Sequence, residues 1–243
     1  MELLEHVFRA KQAEYLIALA GLFAFIGFWR VLNGPAVELA AVRARARAMA
    51  AQVAGFLVPE GVRYHPGHAW VRLESGGLVT VGLDDFAGKL LGRAEALHLP
   101  PAGARIEQGG KGWTIKSDSR LVDMLAPVDG EIVAVNAEAA SSPRLAFADP
   151  YGKGWLLKVR SSNLAANLKN LIPAEMVSGW FENIRESIAL HQAAPELAVV
   201  YQDGGVPIEG IAKALDPERW DEVAARYLLT DAEADAEAVG ARG

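Results

Sequence analysis

The sequence predicts a mainly β domain with helical additions, carried behind an N-terminal transmembrane helix. Three observations support this. Between Gly61 and Val159, short runs of strand-forming residues are separated by clusters of Gly, Pro and Asp, the punctuation of a small barrel-like or sandwiched β domain. Residues 15–32, YLIALAGLFAFIGFWRVL, form an eighteen-residue apolar run interrupted only by Arg30. After Ser162, Leu164, Leu168 and Leu171, and then Val177, Trp180, Phe181, Ile184 and Ile188, recur at helical spacing.

Taken from the start, residues 1–14 read as a short flank and 15–32 as the membrane span. At a rise of about 1.5 Å per residue such a helix covers ~27 Å, close to the hydrocarbon thickness of a bilayer. Arg30 lies near its end, where it can snorkel, and Tyr15 and Trp29 occupy interfacial positions. No small-x-small cleavage site follows the apolar run, so the segment reads as an uncleaved anchor rather than a signal peptide. Arg30, Arg43, Arg45 and Arg47 on the C-terminal side outnumber Arg9 and Lys11 on the N-terminal side. That bias predicts a single-pass inner (cytoplasmic) membrane protein, N-out, with its soluble domain in the cytoplasm. Residues 33–60, broken from the span by Gly34-Pro35, read as a helical linker, either a plain spacer or a basic strip against anionic lipid.

Residues 61–190 form the predicted β-rich domain with its closing helices. Alternation around Tyr64–Leu73, the Gly76-Gly77 turn and Leu78–Gly82 predict a hairpin. Asp84-Asp85 opens a short helix that ends at Gly92, and reads as a helix N-terminus rather than an acid/base pair. Further strands are expected at Glu95–Leu99, Gly112–Ser117, Val122–Leu125, Gly130–Val135 and Trp155–Val159. Residues 191–230 form a C-terminal extension: a strand-like Ala198–Tyr201, a turn at Asp203-Gly204-Gly205, an apolar Ile208–Leu215, and a helix through Leu229 with Asp216 as its N-cap. Residues 231–243 form an acidic, alanine-rich tail.

Several motifs in this order point to a known family. They are Tyr64-His65-Pro66-Gly67-His68-Ala69-Trp70, Val81-Gly82-Leu83-Asp84-Asp85-Phe86, Leu91-Gly92, Ala126-Pro127-Val128-Asp129-Gly130-Glu131 and Asp149-Pro150-Tyr151-Gly152-Lys153-Gly154-Trp155. Together they resemble the H protein of the glycine cleavage system. The resemblance implies a barrel-sandwich hybrid of the biotinyl/lipoyl-carrier type over roughly 61–186. Such proteins carry lipoamide on a hairpin-tip lysine within Glu-Ser-Val-Lys. Aligned on Pro127 and Gly130, that lysine falls on Ser119 and its preceding glutamate on Lys116. Serine has no amine with which to form the lipoyl amide. The resemblance therefore implies a degenerate carrier with no cofactor, with Lys116 (or Lys111) as the alternative attachment point.

Composition narrows the function classes. The chain has no cysteine, which excludes disulfides, thiolate metal sites and a cysteine nucleophile. A net charge of -6 argues against nucleic acid as a partner. His65 and His68 are the sole close histidine pair and do not make a metal site at that spacing. No nucleophile elbow or phosphate loop is present, so no catalytic residue, metal or enzymatic activity is expected. The expected role is a non-catalytic, membrane-anchored docking subunit of a multi-subunit membrane complex, respiratory or electron-transfer by analogy. Its partners would be membrane lipid through 15–32 and the other subunits, with Trp180 and Phe181 as interaction candidates if the extension leaves them uncovered. The alternatives are a swinging-arm carrier modified at Lys116 and a transport adaptor.

Overall fold

A computed structural model describes residues 19, 21–25, 29, 51–191 and 207–230. The chain divides into two units, Met1–Met49 and Ala50–Gly243. In the first unit the described residues are helical and exposed.

The expected transmembrane helix is corrected here. Among the described residues no helix is long and apolar enough to cross a membrane, whereas a span needs about twenty consecutive helical residues. Most of 15–32, with residues 33–50, 192–206 and 231–243, lies outside the described residues. So do most of the linker, the strand expected at Ala198–Tyr201 and the turn at 203–205. The fold class is therefore a mainly β sandwich with helical additions.

Unit 2 is built from three antiparallel sheets. β1 (Ala51–Val53) and β2 (Phe56–Val58) form a small hairpin where the sequence suggests the end of a helical linker. The larger sheet holds β3 (Val62–Tyr64), β4 (Ala69–Leu73), β5 (Leu78–Leu83), β7 (Arg105–Ile106), β10 (Gly130–Val135) and β11 (Leu157–Arg160), in the order β3-β4-β5-β11-β10-β7. β5 lies inside it, with Val81 opposite both Val71 and Leu157. That explains its nearly unbroken apolar sequence, since Val79 through Leu83 are buried whichever face they point to.

The smaller sheet has the order β6-β8-β9, formed by β6 (Ala96–His98), β8 (Lys111–Ser117) and β9 (Arg120–Leu125). Here alternation rules: Trp113 and Ile115 from β8, with Val122 and Met124 from β9, turn inward. They join Val81, Val159 and Ile132 of the larger sheet in one core.

Helices close the sandwich. α1 (Asp85–Leu91) starts where Asp84 accepts a hydrogen bond from the Ala87 amide, and ends at Gly92. α2 (Ala137–Ser141) and α3 (Arg144–Ala148) fill the β10–β11 connection, and α4 (Leu164–Asn167) follows β11. α5 (Val177–His191) buries Val177, Phe181, Ile184 and Ile188 along one stripe. Beyond it, α6 (Ile211–Leu215) and α7 (Trp220–Tyr227) return to pack on the β domain, burying Ile211, Ala212, Trp220, Ala224 and Leu228. Asp216, expected as the N-cap of the last helix, instead holds the turn before it by accepting from the Glu218 and Arg219 amides at 3.1 and 3.0 Å. The cap position itself is Arg219.

Candidate functional site

β8 and β9 pair as far as Ser117 opposite Arg120, which leaves Asp118 and Ser119 alone at the hairpin tip. Both have positive φ, 41° and 64°, as a two-residue turn between right-twisted strands requires. Aspartate tolerates that conformation better than most residues. Asp118, Ser119 and Arg120 are exposed. Beneath them Ser117 is sealed, and its hydroxyl has no hydrogen-bond partner. Serine 119 thus stands at the end of the small sheet, on the most projecting part of the hairpin.

The alternative attachment residues lie elsewhere. Lys116 is one of the paired residues of β8, opposite Leu121 on one side and Ala96 on the other. Its Nζ is 3.4 Å from a Glu95 carboxylate oxygen. Lys111, at the far end of β8, pairs with Asp123 at 2.8 Å.

The loop that follows β9 is held by a compact polar knot. Asn167 Nδ2 donates to Asp129 Oδ2 at 2.7 Å and to Gln108 Oε1 at 3.2 Å, while its Oδ1 accepts from the Asp129 amide. Gln108 donates its own amide to Asp129 Oδ1 and its side chain to the Pro127 and Asn167 carbonyls. These donors hold the Asp129 carboxyl below the usual carboxylate range, the Gln108 amide chief among them. The Ala126–Glu131 run is thereby fixed in one conformation.

The two histidines sit apart from the hairpin tip. His68, at φ 63°, places Nδ1 2.7 Å from Asp84 Oδ2, with both side chains buried. A carboxylate only accepts, so this ring nitrogen carries the proton. The imidazole lies between Phe86 and Trp180, stacked on the indole at 4.6 Å. His65 Nδ1 accepts from the Gly67 amide, and burial pushes its pKa down to about 4. Among the described residues no group of three or more His, Cys, Asp or Glu is placed to hold a metal ion.

Of the two interaction candidates, this packing removes Phe181 from the surface. Phe181 is fully buried against Phe56 and Tyr64, and half-buried Trp180 is engaged by His68. Phe181 belongs to the buried stripe of α5, and Trp180 stays partly exposed beside it. The residues that do gather at the tip are Arg120, Lys213, Trp220 and Asp221, which the sequence reading did not single out. Nothing local in the sequence marks them, since the contacts join segments roughly a hundred positions apart.

A β sandwich with a projecting two-residue hairpin and closing helices is the architecture of a carrier domain. The family profile described as glycine cleavage H-protein matches residues 62–184. A glycine cleavage system H protein of Neisseria meningitidis serogroup B is 37% identical over 122 residues, which are 50% of this chain and 94% of that protein. The one from Carboxydothermus hydrogenoformans is 39% identical over 119 residues, 49% of this chain and 90% of that protein. A crystal structure of a glycine cleavage system H protein from Mycobacterium marinum is 30% identical, covers 50% of this chain and 97% of its own, and has a TM-score of 0.45. The chain belongs to the glycine cleavage H-protein family. The expected N-out, single-pass membrane location is withdrawn, because it rested on a spanning helix and none is found among the described residues.

Proposed function

We propose that this chain is a non-catalytic docking module built on an H-protein domain that has no lipoyl attachment at its hairpin tip. The reading rests on one observation: the tip is Asp118-Ser119, with serine where the family's lysine aligns. A lipoyl arm is joined through an amide, and the Ser119 hydroxyl cannot form one. The group and the tip residues do not fit each other. What persists is a rigid β scaffold with a fixed loop and added helices, suited to holding other proteins together in a multi-subunit complex.

A second reading is favoured by the close similarity to named H proteins. In it the chain is a carrier whose arm sits on Lys116, a side chain 41% exposed. Against it, Lys116 is a ladder residue of β8 rather than a tip residue. Intact mass of the chain purified from its native source separates the two. An unmodified mass with stoichiometric partner proteins supports the docking module. A lipoyl-sized increment mapped to Lys116 overturns it and establishes the carrier.

A further inference from the structure

The H-protein relatives have no room for the segment 207–230, since the matched residues already fill 94% of the Neisseria protein. In this chain that segment packs on the domain at four places. At α1, the Gly210 amide donates to the Lys89 carbonyl at 2.7 Å, and the approach is so close that a Cβ on Gly92 would fall 2.7 Å from the Gly210 nitrogen. At the β3–β4 turn, a Cβ on Gly67 would meet the Leu228 carbonyl oxygen at 2.9 Å. At α5, the Tyr227 hydroxyl bonds Ser187 at 3.1 Å while its ring packs edge-on against Phe86.

The fourth contact is with the tip itself. Lys213 pairs with Asp118, and Arg120 pairs with Asp221. Arg120 also donates to the Glu218 carbonyl at 2.8 Å. Buried Trp220 lies between these pairs, with the Lys213 ammonium 5.3 Å and the Arg120 guanidinium 5.9 Å from its ring. The residues immediately before and after Ser119 are therefore each held by the chain's own C-terminal extension.

We infer that residues 207–230 form a cis-acting cap that fixes the β8–β9 hairpin and closes its tip to other proteins. Any protein that works on a carrier arm must straddle the tip, and the cap occupies that ground. Solvent and small molecules still reach Ser119, which is exposed; a bulky visitor does not. The occupant of this face is thus a segment of the same chain, in contact through an apolar base and two opposite-charge pairs. The inference deepens the docking-module reading, and rests on it for the claim that the tip has no arm to deliver.

The absence of cysteine makes the test direct. In the full-length chain, Ser119→Cys places a single thiol at the tip. Its labelling rate is measured with a small maleimide and with a polyethylene-glycol maleimide of several kilodaltons. Reversing both cap charges, Lys213→Glu with Asp221→Lys, sets like charges against Asp118 and Arg120. The bulky reagent should then react about fivefold faster, the factor expected for losing two half-exposed ion pairs, while the small reagent is unchanged. Adding Asp118→Lys and Arg120→Glu restores opposite charges and should slow the bulky reagent again. Equal bulky-reagent rates in the capped and charge-reversed chains overturn the cap, as does a failure of the full swap to slow it. A lipoyl increment on Lys116 would sink the docking reading while leaving these rates as they are, so the two failures are distinguishable.

Discussion

His68 and Asp84 form a buried pair in which one carboxylate serves two purposes. Asp84 Oδ2 faces the imidazole at 2.7 Å, and Oδ1 accepts the Ala87 amide that opens α1. The same aspartate fixes a core histidine and starts the helix beside it.

Removing either partner should therefore have unequal costs. His68→Ala leaves the buried Asp84 carboxylate without its hydrogen-bond donor and is expected to cost about 3 kcal/mol. Asp84→Ala loses that pairing and the helix cap together, which adds about 1 kcal/mol. Urea denaturation of the two variants measures the order. Asp84→Ala being the milder change would refute the double role.

Acid stability should carry the signature of His65. Its pKa is about 4, lowered from 6.5 chiefly by burial, with the neighbouring His68 acting in the same direction. The unfolded chain binds the proton more readily, so the stabilisation is complete above about pH 6.5 and is lost as the pH falls toward 4. The loss through this group is at most roughly 3 kcal/mol. His65→Asn keeps an acceptor for the Gly67 amide but removes the titration. Denaturation midpoints between pH 4 and 6.5 should slope less steeply in that variant, and an unchanged slope would exclude His65 as the source.

Asn167 tests the knot around Asp129. Asn167→Ala removes the side-chain bonds to Asp129, Gln108 and Ser161 and should cost about 2 kcal/mol. Amide exchange at 127–131 should accelerate more than exchange in the β4–β5 ladder. Uniform acceleration would mean that the knot supports the whole sandwich rather than this loop.

The β sandwich was legible where apolar alternation met a glycine turn, as at Gly76-Gly77 between β4 and β5, and in β8 and β9, whose apolar alternation flanks the Asp118-Ser119 turn. It was less so where the elements are short. β7 has two residues, too few for any period, and the β1–β2 hairpin lies in the alanine-rich AQVAGFLV, whose composition favours helix. α2 and α3 have five residues each, below the length at which helical spacing shows. The apolar run at 15–32 has the hydropathy of a span, but most of it lies outside the described residues, among which no helix is long and apolar enough to cross a membrane. Ser119 could be located at the tip through the alignment of Pro127 and Gly130. The cap could not, because Asp118–Lys213 and Arg120–Asp221 are long-range contacts with no periodic or local trace.

Gly67 is the point at which the C-terminal segment and the β3–β4 turn come closest. A Cβ there would meet the Leu228 carbonyl oxygen at 2.9 Å, with His65 Nδ1 and Leu125 Cδ1 next at 3.2 and 3.3 Å, and Leu228 belongs to the C-terminal segment. Any side chain at Gly67 would therefore push Leu228 outward and loosen the C-terminal segment from the turn between the two histidines, so this one glycine ties the seating of residues 207–230 to the core of the sandwich.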